Sequence, residues 1–465
     1  MSTRPSRGVR TPLPGPRVQA EIARGGFDMQ SIYRASIFDE EKSQGTSLVD
    51  LDGNVFLDLF ASFALGSLGY NHPALVEAAR SDAFVRASVN PTSTPFLTSA
   101  GWIDFVEELQ SRWAPRGMTK VFCVDGGGEG VDAALKAAFI RHGENRREQD
   151  GRPRDPLQLP DDEKDDILRN YGTDAVAISF EGAFHGRTLG SLSATHSKVI
   201  HKADLPAFPW PSVPFPALRW PPDRFAEENA RAEKACVNAL VDAFEQHAGR
   251  VAAVIVEPIQ AEGGDRHANP SFFQKVQEIA TQAGAALILD EVQTGTAISG
   301  TMWCHEQFDL GRPPDMVTMG KKMQLGGFFA TDAYDIRQFG RMYQTKNGDR
   351  AKAILALATL HAIEDEHLLD HVRTEGAYFL GRLRELADTY PKLVTEPRGR
   401  GFLLAFDLPT TAARDELLKK ALGRAVFLSY TGTRSVRIRP HLVTSRADID
   451  EAMQVLFAVA REMAG

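Results

Sequence analysis

The feature that most constrains this chain is an alternation, through its middle, of short apolar runs with amphipathic helical patterns. Apolar runs fall at 120–124, 175–180, 251–256, 285–289 and 316–319, each too short for a helix and bounded by turn-forming residues. Between them, 129–141 and 270–283 repeat apolar residues every three or four positions. Such a chain builds βαβ units, so a mainly parallel sheet covered by helices is expected. Residues 47–60 alternate in polarity around Asp52-Gly53-Asn54 and predict a hairpin. After about residue 355, long helical patterns to Arg384 give way to short strands near 401–406 and 435–438, the pattern of a smaller α+β domain. At 465 residues the chain exceeds what one core usually serves. The expected division is an N-terminal arm and hairpin (1–75) joining the small domain, a large domain (76–354) and a C-terminal small domain (355–465).

Charge and composition remove several classes of function. The net charge of -8 is spread along the chain and disfavours a nucleic-acid or acidic-membrane partner. The apolar runs are far below the roughly 20 residues that span a bilayer. Cys123, Cys236 and Cys304 share no close spacing, so neither a disulfide framework nor a cysteine metal site is expected. They read as free thiols in a reducing cytoplasm. The first 18 residues carry four arginines, four prolines and no acid, which predicts a floppy arm rather than a transit peptide. Residues 143–174 are hydrophilic and predict a surface excursion. Residues 205–222 hold seven prolines with Phe208, Trp210, Phe215 and Trp220, and read as an extended segment packed on its own protein.

The residues able to do chemistry fall at the ends of the apolar runs. One run ends in Asp290-Glu291-Val292-Gln293-Thr294-Gly295, and ligands of open α/β sheets sit at the carboxyl ends of strands. The next ends in Lys321-Lys322, followed by Gly326-Gly327. A lysine after a strand with a nearby Gly-Gly suits a Schiff-base lysine, and a strand-end carboxylate could keep a pyridine nitrogen protonated. Paired lysines are otherwise a solvated face. Asp125-Gly126-Gly127-Gly128-Glu129-Gly130 lies between a strand and a helix, where backbone N–H groups can cradle a phosphate; it fits neither a Walker loop nor GxGxxG. In Gly182-Ala183-Phe184-His185-Gly186-Arg187-Thr188, the phenylalanine could stack on a ring and the arginine could fork onto a carboxylate. Arg437, on the short run 435–438, could do the same for a second carboxylate.

Taken in this order, the elements resemble the class III (ω-amino) aminotransferases from about Gly45 to Arg461. Gly69-Tyr70-Asn71-His72-Pro73, the Phe184–Gly190 stretch continuing to Lys198, and Lys321-Lys322-Met323 resemble the 4-aminobutyrate subgroup. The run Val256-Glu257-Pro258-Ile259-Gln260-Ala261-Glu262 and the Asp290–Gly295 run resemble both that subgroup and the lysine 6-aminotransferases, and Pro397-Arg398-Gly399-Arg400-Gly401 leans to the latter. The resemblance implies a fold-type-I α/β homodimer, with a mainly parallel seven-stranded sheet, a smaller α+β domain, and a site between domains and at the dimer interface. It implies pyridoxal 5'-phosphate on Lys322, with Asp290 at the pyridine nitrogen, Val292 and Phe184 about the ring, and Gln293 at the ring hydroxyl. Gly127 and Gly128 match phosphate positions, Thr345 matches a threonine given to the phosphate across the dimer, and His185 and Glu257 match cofactor-binding positions.

For substrates, the resemblance implies Arg187 with Lys198 at the donor's distal carboxylate and Arg437 at the α-carboxylate of 2-oxoglutarate or glutamate. Glu262 resembles the residue that masks Arg437 while an ω-amine is bound. The implied reaction moves the terminal amine of 4-aminobutyrate to 2-oxoglutarate, giving a semialdehyde and glutamate. Lysine at its ε-amine is the alternative donor, and an aminomutase or racemase is the more distant alternative. Three features depart from the pattern. The loop is all glycine where many members have hydroxyls, Phe63 replaces a smaller apolar residue beside the substrate, and no aromatic follows Thr345. Only Cys123 lies near the loop, so the cysteine pair of the animal iron–sulfur members is missing and no metal is expected.

Overall fold

The apolar runs become strands of one seven-stranded sheet. In spatial order these are Lys120–Val124, Gly326–Ala330, Met316–Met319, Ala286–Asp290, Val251–Val256, Val176–Phe180 and Ser212–Val213. The computed structural model describes residues 6–26, 28–29, 36–90, 96–170 and 172–465. The chain forms two units: one holds residues 87–295 and 303–353, the other the residues up to 86 with 296–302 and 354–465. The sheet belongs to the first. Val251–Val256 and Ala286–Asp290 are buried at every position, the mark of parallel strands covered on both faces.

The sheet is mixed, because Gly326–Ala330 runs antiparallel to both of its neighbours. Its glycines explain how it fits. A Cβ on Gly326 would lie 2.0 Å from the Gly126 carbonyl oxygen, and one on Gly327 would lie 2.2 Å from that of Phe122. The Gly-Gly thus brings the chain onto its own backbone. Lys322 consequently sits in a 3-10 turn, Lys321–Met323, within an antiparallel connection rather than on a crossover to a helix. Helix Gly127–Gln149 lies against the sheet with small residues, among them Gly130, Ala134, Ala137 and Ala138. A Cβ on Gly130 would come within 2.7 Å of Gly327 backbone, so helix and strand touch main chain to main chain.

One expectation for this unit changes and another holds. The excursion at 143–174 is largely helical: Gly127–Gln149 runs into it and Asp161–Asn170 follows. Its charges pair with one another, as in Arg146–Asp174 at 2.6 Å and Arg154–Glu148 at 2.7 Å, so polarity here solvates a helix rather than unravelling it. The proline-rich segment does pack on its own protein. Ser212–Val213 edges the sheet, Phe215 is buried, and Trp210 stacks between Phe208 and Phe139.

In the second unit, Ser47–Val49 and Val55–Asp58 form the expected hairpin, joined in parallel by Val426–Phe427. A four-stranded antiparallel sheet follows the order Thr395–Arg400, Leu403–Asp407, Ser435–Ile438, Ser429–Thr431. The N-terminal arm is docked from residue 6 onward, correcting the floppy arm; residues 1–5 lie outside the described residues. Arg7 reaches Asp448 at 2.7 Å and Glu451 at 2.5 Å, and Gly8 pairs with Val55. The Asp52 carboxylate accepts from Arg17 and Val18 N–H at 2.9 Å, capping helix Pro16–Arg24. Just after Asp58 the backbone turns left-handed over four consecutive residues, Ala61, Ser62, Phe63 and Ala64, with φ of 44°, 49°, 62° and 62°. Each such L-residue costs roughly 1–2 kcal/mol relative to the right-handed form.

Candidate active site

Strand register sets the row of side chains at the sheet's carboxyl edge. Val256 pairs with Leu289 and Asp290 with Thr318, so Glu257, just past its strand, stands in a row with Asp290 and Thr318. Asp290 is buried and richly held. Its Oδ1 accepts from Thr318 Oγ1 at 2.8 Å and Val292 N at 3.1 Å, and its Oδ2 lies 2.7 Å from His185 Nδ1. His185 is buried too, and its Nε2 has no hydrogen-bond partner among the described residues. Thr195 Oγ1 accepts from His185 N at 2.9 Å and fixes the loop that carries the ring. Burial, then the negative charge of Asp290, pushes the Glu257 carboxyl well above the usual carboxylate range, although it accepts from Phe184 N at 2.8 Å and Ala261 N at 3.3 Å.

The Lys322 side chain is only 1% exposed, and its Nζ donates to the Gln293 carbonyl at 2.9 Å, three residues beyond Asp290. Val292 packs against two glycines: a Cβ on Gly127 would lie 2.6 Å from its Cγ1, and one on Gly320 would lie 3.0 Å away. Gly128 instead faces the Gly186–Arg187 backbone and Ser191 at an ordinary 3.7 Å. Glu129 caps the same loop, its carboxylate accepting from Asp125 and Gly126 N–H at 3.1 and 3.3 Å. Lysine turn, acidic run, glycine loop and histidine loop therefore converge on one place in this unit. A buried amine, an adjacent carboxylate–imidazole pair with an orphaned ring nitrogen, and glycines where side chains would collide fit a flat, anionic, ring-bearing cofactor.

Beside them lies a cationic group. Arg187 is exposed, with its Cζ 5.7 Å from the Phe184 ring centroid, and makes no ion pair among the described residues. Lys198 Nζ lies 2.9 Å from Glu262 Oε2. His201, buried, packs edge-on against Phe184 at 5.3 Å, and its ring is pushed below the usual histidine range by burial, then by Arg187 and Lys198. Thr345 is exposed, and its neighbour Lys346 pairs with Asp125 beside the glycine loop at 3.1 Å. In the other unit, Arg437 is buried on strand Ser435–Ile438, with its Cζ 4.7 Å from the Phe63 ring and 6.0 Å from that of Phe60.

Sequence reasoning missed Thr318, Thr195, His201 and Glu291. Only Glu291 carried a signal, its place beside Asp290. Its buried carboxylate ties Thr294, Cys304 N and His305 together at 2.8 Å each. The others are ordinary strand or loop residues until register brings them to the site.

Sheet, row and lysine turn define an aminotransferase of class III, and the chain belongs to that family: its model, "Aminotransferase class-III", matches residues 30–459. The chain is a pyridoxal-phosphate-dependent transaminase. It is similar to 4-aminobutyrate aminotransferase of Dictyostelium discoideum, 37% identical over 98% of this chain and 91% of that protein. It is likewise similar to the 4-aminobutyrate aminotransferase of Schizosaccharomyces pombe, 38% identical over 93% and 91%. Among solved structures it resembles lysine aminotransferase from M. tuberculosis in the internal aldimine form, with a TM-score of 0.86 and 33% identity. That match covers 98% of this chain and 100% of that one.

Proposed function

We propose that this transaminase takes the terminal amine of 4-aminobutyrate and passes it to 2-oxoglutarate, with Lys322 carrying the cofactor. The observation behind this reading is the buried Lys322 amine on the Gln293 carbonyl, in the same cluster as the Asp290–His185 pair. Bound, the cofactor supplies an electron sink that lets a carbon-bound hydrogen leave as a proton. Asp290 holds positive charge at that sink, with Thr318 and His185 fixing its two oxygens. Gly127 and Gly128 offer backbone N–H groups at a helix start to the phosphate. Val292 and Phe184 would flank the ring and Gln293 would reach its hydroxyl, and Glu257 holds the Phe184 backbone in position. Lys322 Nζ takes the proton from the donor's amine-bearing carbon and returns it when the second substrate is aminated.

Arg187 and Lys198 receive the donor's distal carboxylate, and Arg437 receives the α-carboxylate of the acceptor. Glu262, held by Lys198, is by resemblance the residue assigned to the change between an ω-amine and an α-amino acid. Curated relatives at 35–38% identity favour 4-aminobutyrate as donor. The high structural similarity to a lysine aminotransferase favours lysine as the second reading. The protein is proposed to work as a homodimer, with Thr345 reaching the partner's phosphate. An exposed aromatic group supports this: Phe96 lies 5.4 Å from both Phe339 and Tyr343 on the unit that carries Thr345.

The test is the visible absorption of the cofactor-loaded protein after adding one donor at a time without an oxo acid. A response to 4-aminobutyrate supports the lead reading, and a response to lysine alone moves the enzyme to the second. Lys322→Ala should lower turnover at least about 100-fold while the fold is retained. Near wild-type multiple turnover in that variant would remove Lys322 from its role.

A further inference from the structure

Arg437 is only 2% exposed, yet the aromatic against it, Phe63, is 47% exposed. A phenylalanine that served only the core would be covered. Phe63 is brought there by the left-handed turn, whose third residue it is. The turn is anchored at its start, where Asp58 Oδ1 accepts from Phe60 N at 2.8 Å and Ala61 N at 2.9 Å. Asp58 is itself fixed: Tyr70 donates its hydroxyl to Oδ2 at 2.7 Å, and His441 Nε2 lies 3.4 Å away. At its far end, the N–H groups of Leu65 and Gly66 both return to the Ala61 carbonyl, at 2.9 and 3.1 Å. A second ring backs the first, since Phe60 meets Phe63 edge-on at 4.5 Å and leans on Phe427 at 5.5 Å.

We propose that this strained, Asp58-anchored turn is a positioning device for Arg437, holding Phe63 against its guanidinium so that the group is preset for an incoming carboxylate. An aromatic face attracts a cation without accepting its hydrogen bonds as a carboxylate would. The ring therefore steers the guanidinium without competing strongly for its N–H groups. Left-handed backbone in four residues with no glycine among them is unfavourable, and such strain persists where surrounding contacts over-determine it, commonly at functional sites. The inference rests on the assignment of Arg437 to the α-carboxylate made above. Phe63 and the turn act through Arg437 and are positioning residues.

Ser62 is exposed and lies inside the turn, so Ser62→Gly removes no buried contact while making the left-handed backbone easy to adopt and easy to leave. In the cofactor-loaded enzyme, Ser62→Gly should raise the melting temperature by about 1–2 °C. It should also raise KM for 2-oxoglutarate by about 3- to 10-fold, the upper figure being ~1.4 kcal/mol. The rate of the donor half-reaction should stay at the wild-type value. Phe63→Leu should raise the same KM without the thermal gain. A Ser62→Gly enzyme that is more stable with KM unchanged, or a Phe63→Leu enzyme with KM unchanged, overturns the proposal while leaving Arg437 in its role. Arg437→Gln with KM for 2-oxoglutarate unchanged overturns that role and the proposal with it.

Discussion

Gly127 and Gly128 are adjacent, both match phosphate positions in the sequence, and yet face different surroundings. Neither has a left-handed φ, so an added methyl acts by volume alone. On Gly127 it would lie 2.6 Å from Val292 Cγ1, about 1 Å inside an ordinary carbon–carbon contact. If Val292 flanks the ring as proposed, a seated ring blocks its retreat and the collision falls on the bound state. Overpacking of this kind costs about 1–3 kcal/mol, which weakens cofactor binding by about 5- to 150-fold. Gly128→Ala meets nothing closer than 3.7 Å, so its dissociation constant should stay within about twofold of wild type. Titrating cofactor-free protein with pyridoxal phosphate, followed by absorbance, measures both, and melting of the cofactor-free variants checks that neither has lost its fold. Equal affinities for Gly127→Ala and wild type, or equal losses in the two variants, would refute the packing of Val292 on Gly127 as the deciding contact.

Three further perturbations probe other contacts. Thr318→Val removes the hydroxyl donor from the buried Asp290 carboxylate and should cost about 1.5–3 kcal/mol in denaturant unfolding; a loss below about 0.5 kcal/mol would show that another group replaces it. His196 is pushed down to about 4 by burial, then by Lys202 and His185, so between pH 6.5 and 4 the unfolded chain binds more protons than the folded one. Wild-type stability should therefore fall as pH drops through that window. The fall is on the order of 1–2 kcal/mol after allowing for solvent screening. His196→Gln should lack it, and parallel stability–pH curves for the two proteins would contradict the assignment. Arg7→Met removes the cation from the buried Asp448 carboxylate and should cost about 3–5 kcal/mol; a change under about 1 kcal/mol in the free energy of urea unfolding would mean that the arm is not docked.

What the sequence disclosed follows from what leaves a local mark. Five of the seven strands stand out as short apolar runs within a residue of their bounds, four of them parallel strands buried at every position and the fifth the edge strand Lys120–Val124. Gly326–Ala330 does not, because two of its five residues are glycine and its direction depends on partners far away in the chain. Asp290 and Lys322 are visible because they end apolar runs. Thr318 is invisible: a threonine inside a strand is commonplace, and only the pairing with Asp290 turns its hydroxyl into a donor. The docked arm was illegible for the same reason, since Asp448 and Glu451, which hold Arg7, are hundreds of residues away. The left-handed turn at Ala61–Ala64 has no glycine to announce it.

Register also sets the two acids of the site side by side. Asp290 ends one strand and Glu257 directly follows its neighbour, and two ionised carboxylates there would repel in a buried setting. The two acids differ in their donors. Asp290 receives a threonine hydroxyl and a backbone N–H on one oxygen and faces an imidazole nitrogen with the other. Glu257 receives two backbone N–H groups, one of them long, and its carboxyl is pushed well above the carboxylate range. Burial and the neighbouring Asp290 thus disfavour the charged form of Glu257, whose carboxyl braces the Phe184 loop through the hydrogen bond from Phe184 N. Sliding either strand by one residue would turn its acid to the opposite face of the sheet and dismantle both the pairing and the brace. The fully buried Val251–Val256 and Ala286–Asp290 runs, which hold that register, are thus as much a part of the site as the lysine.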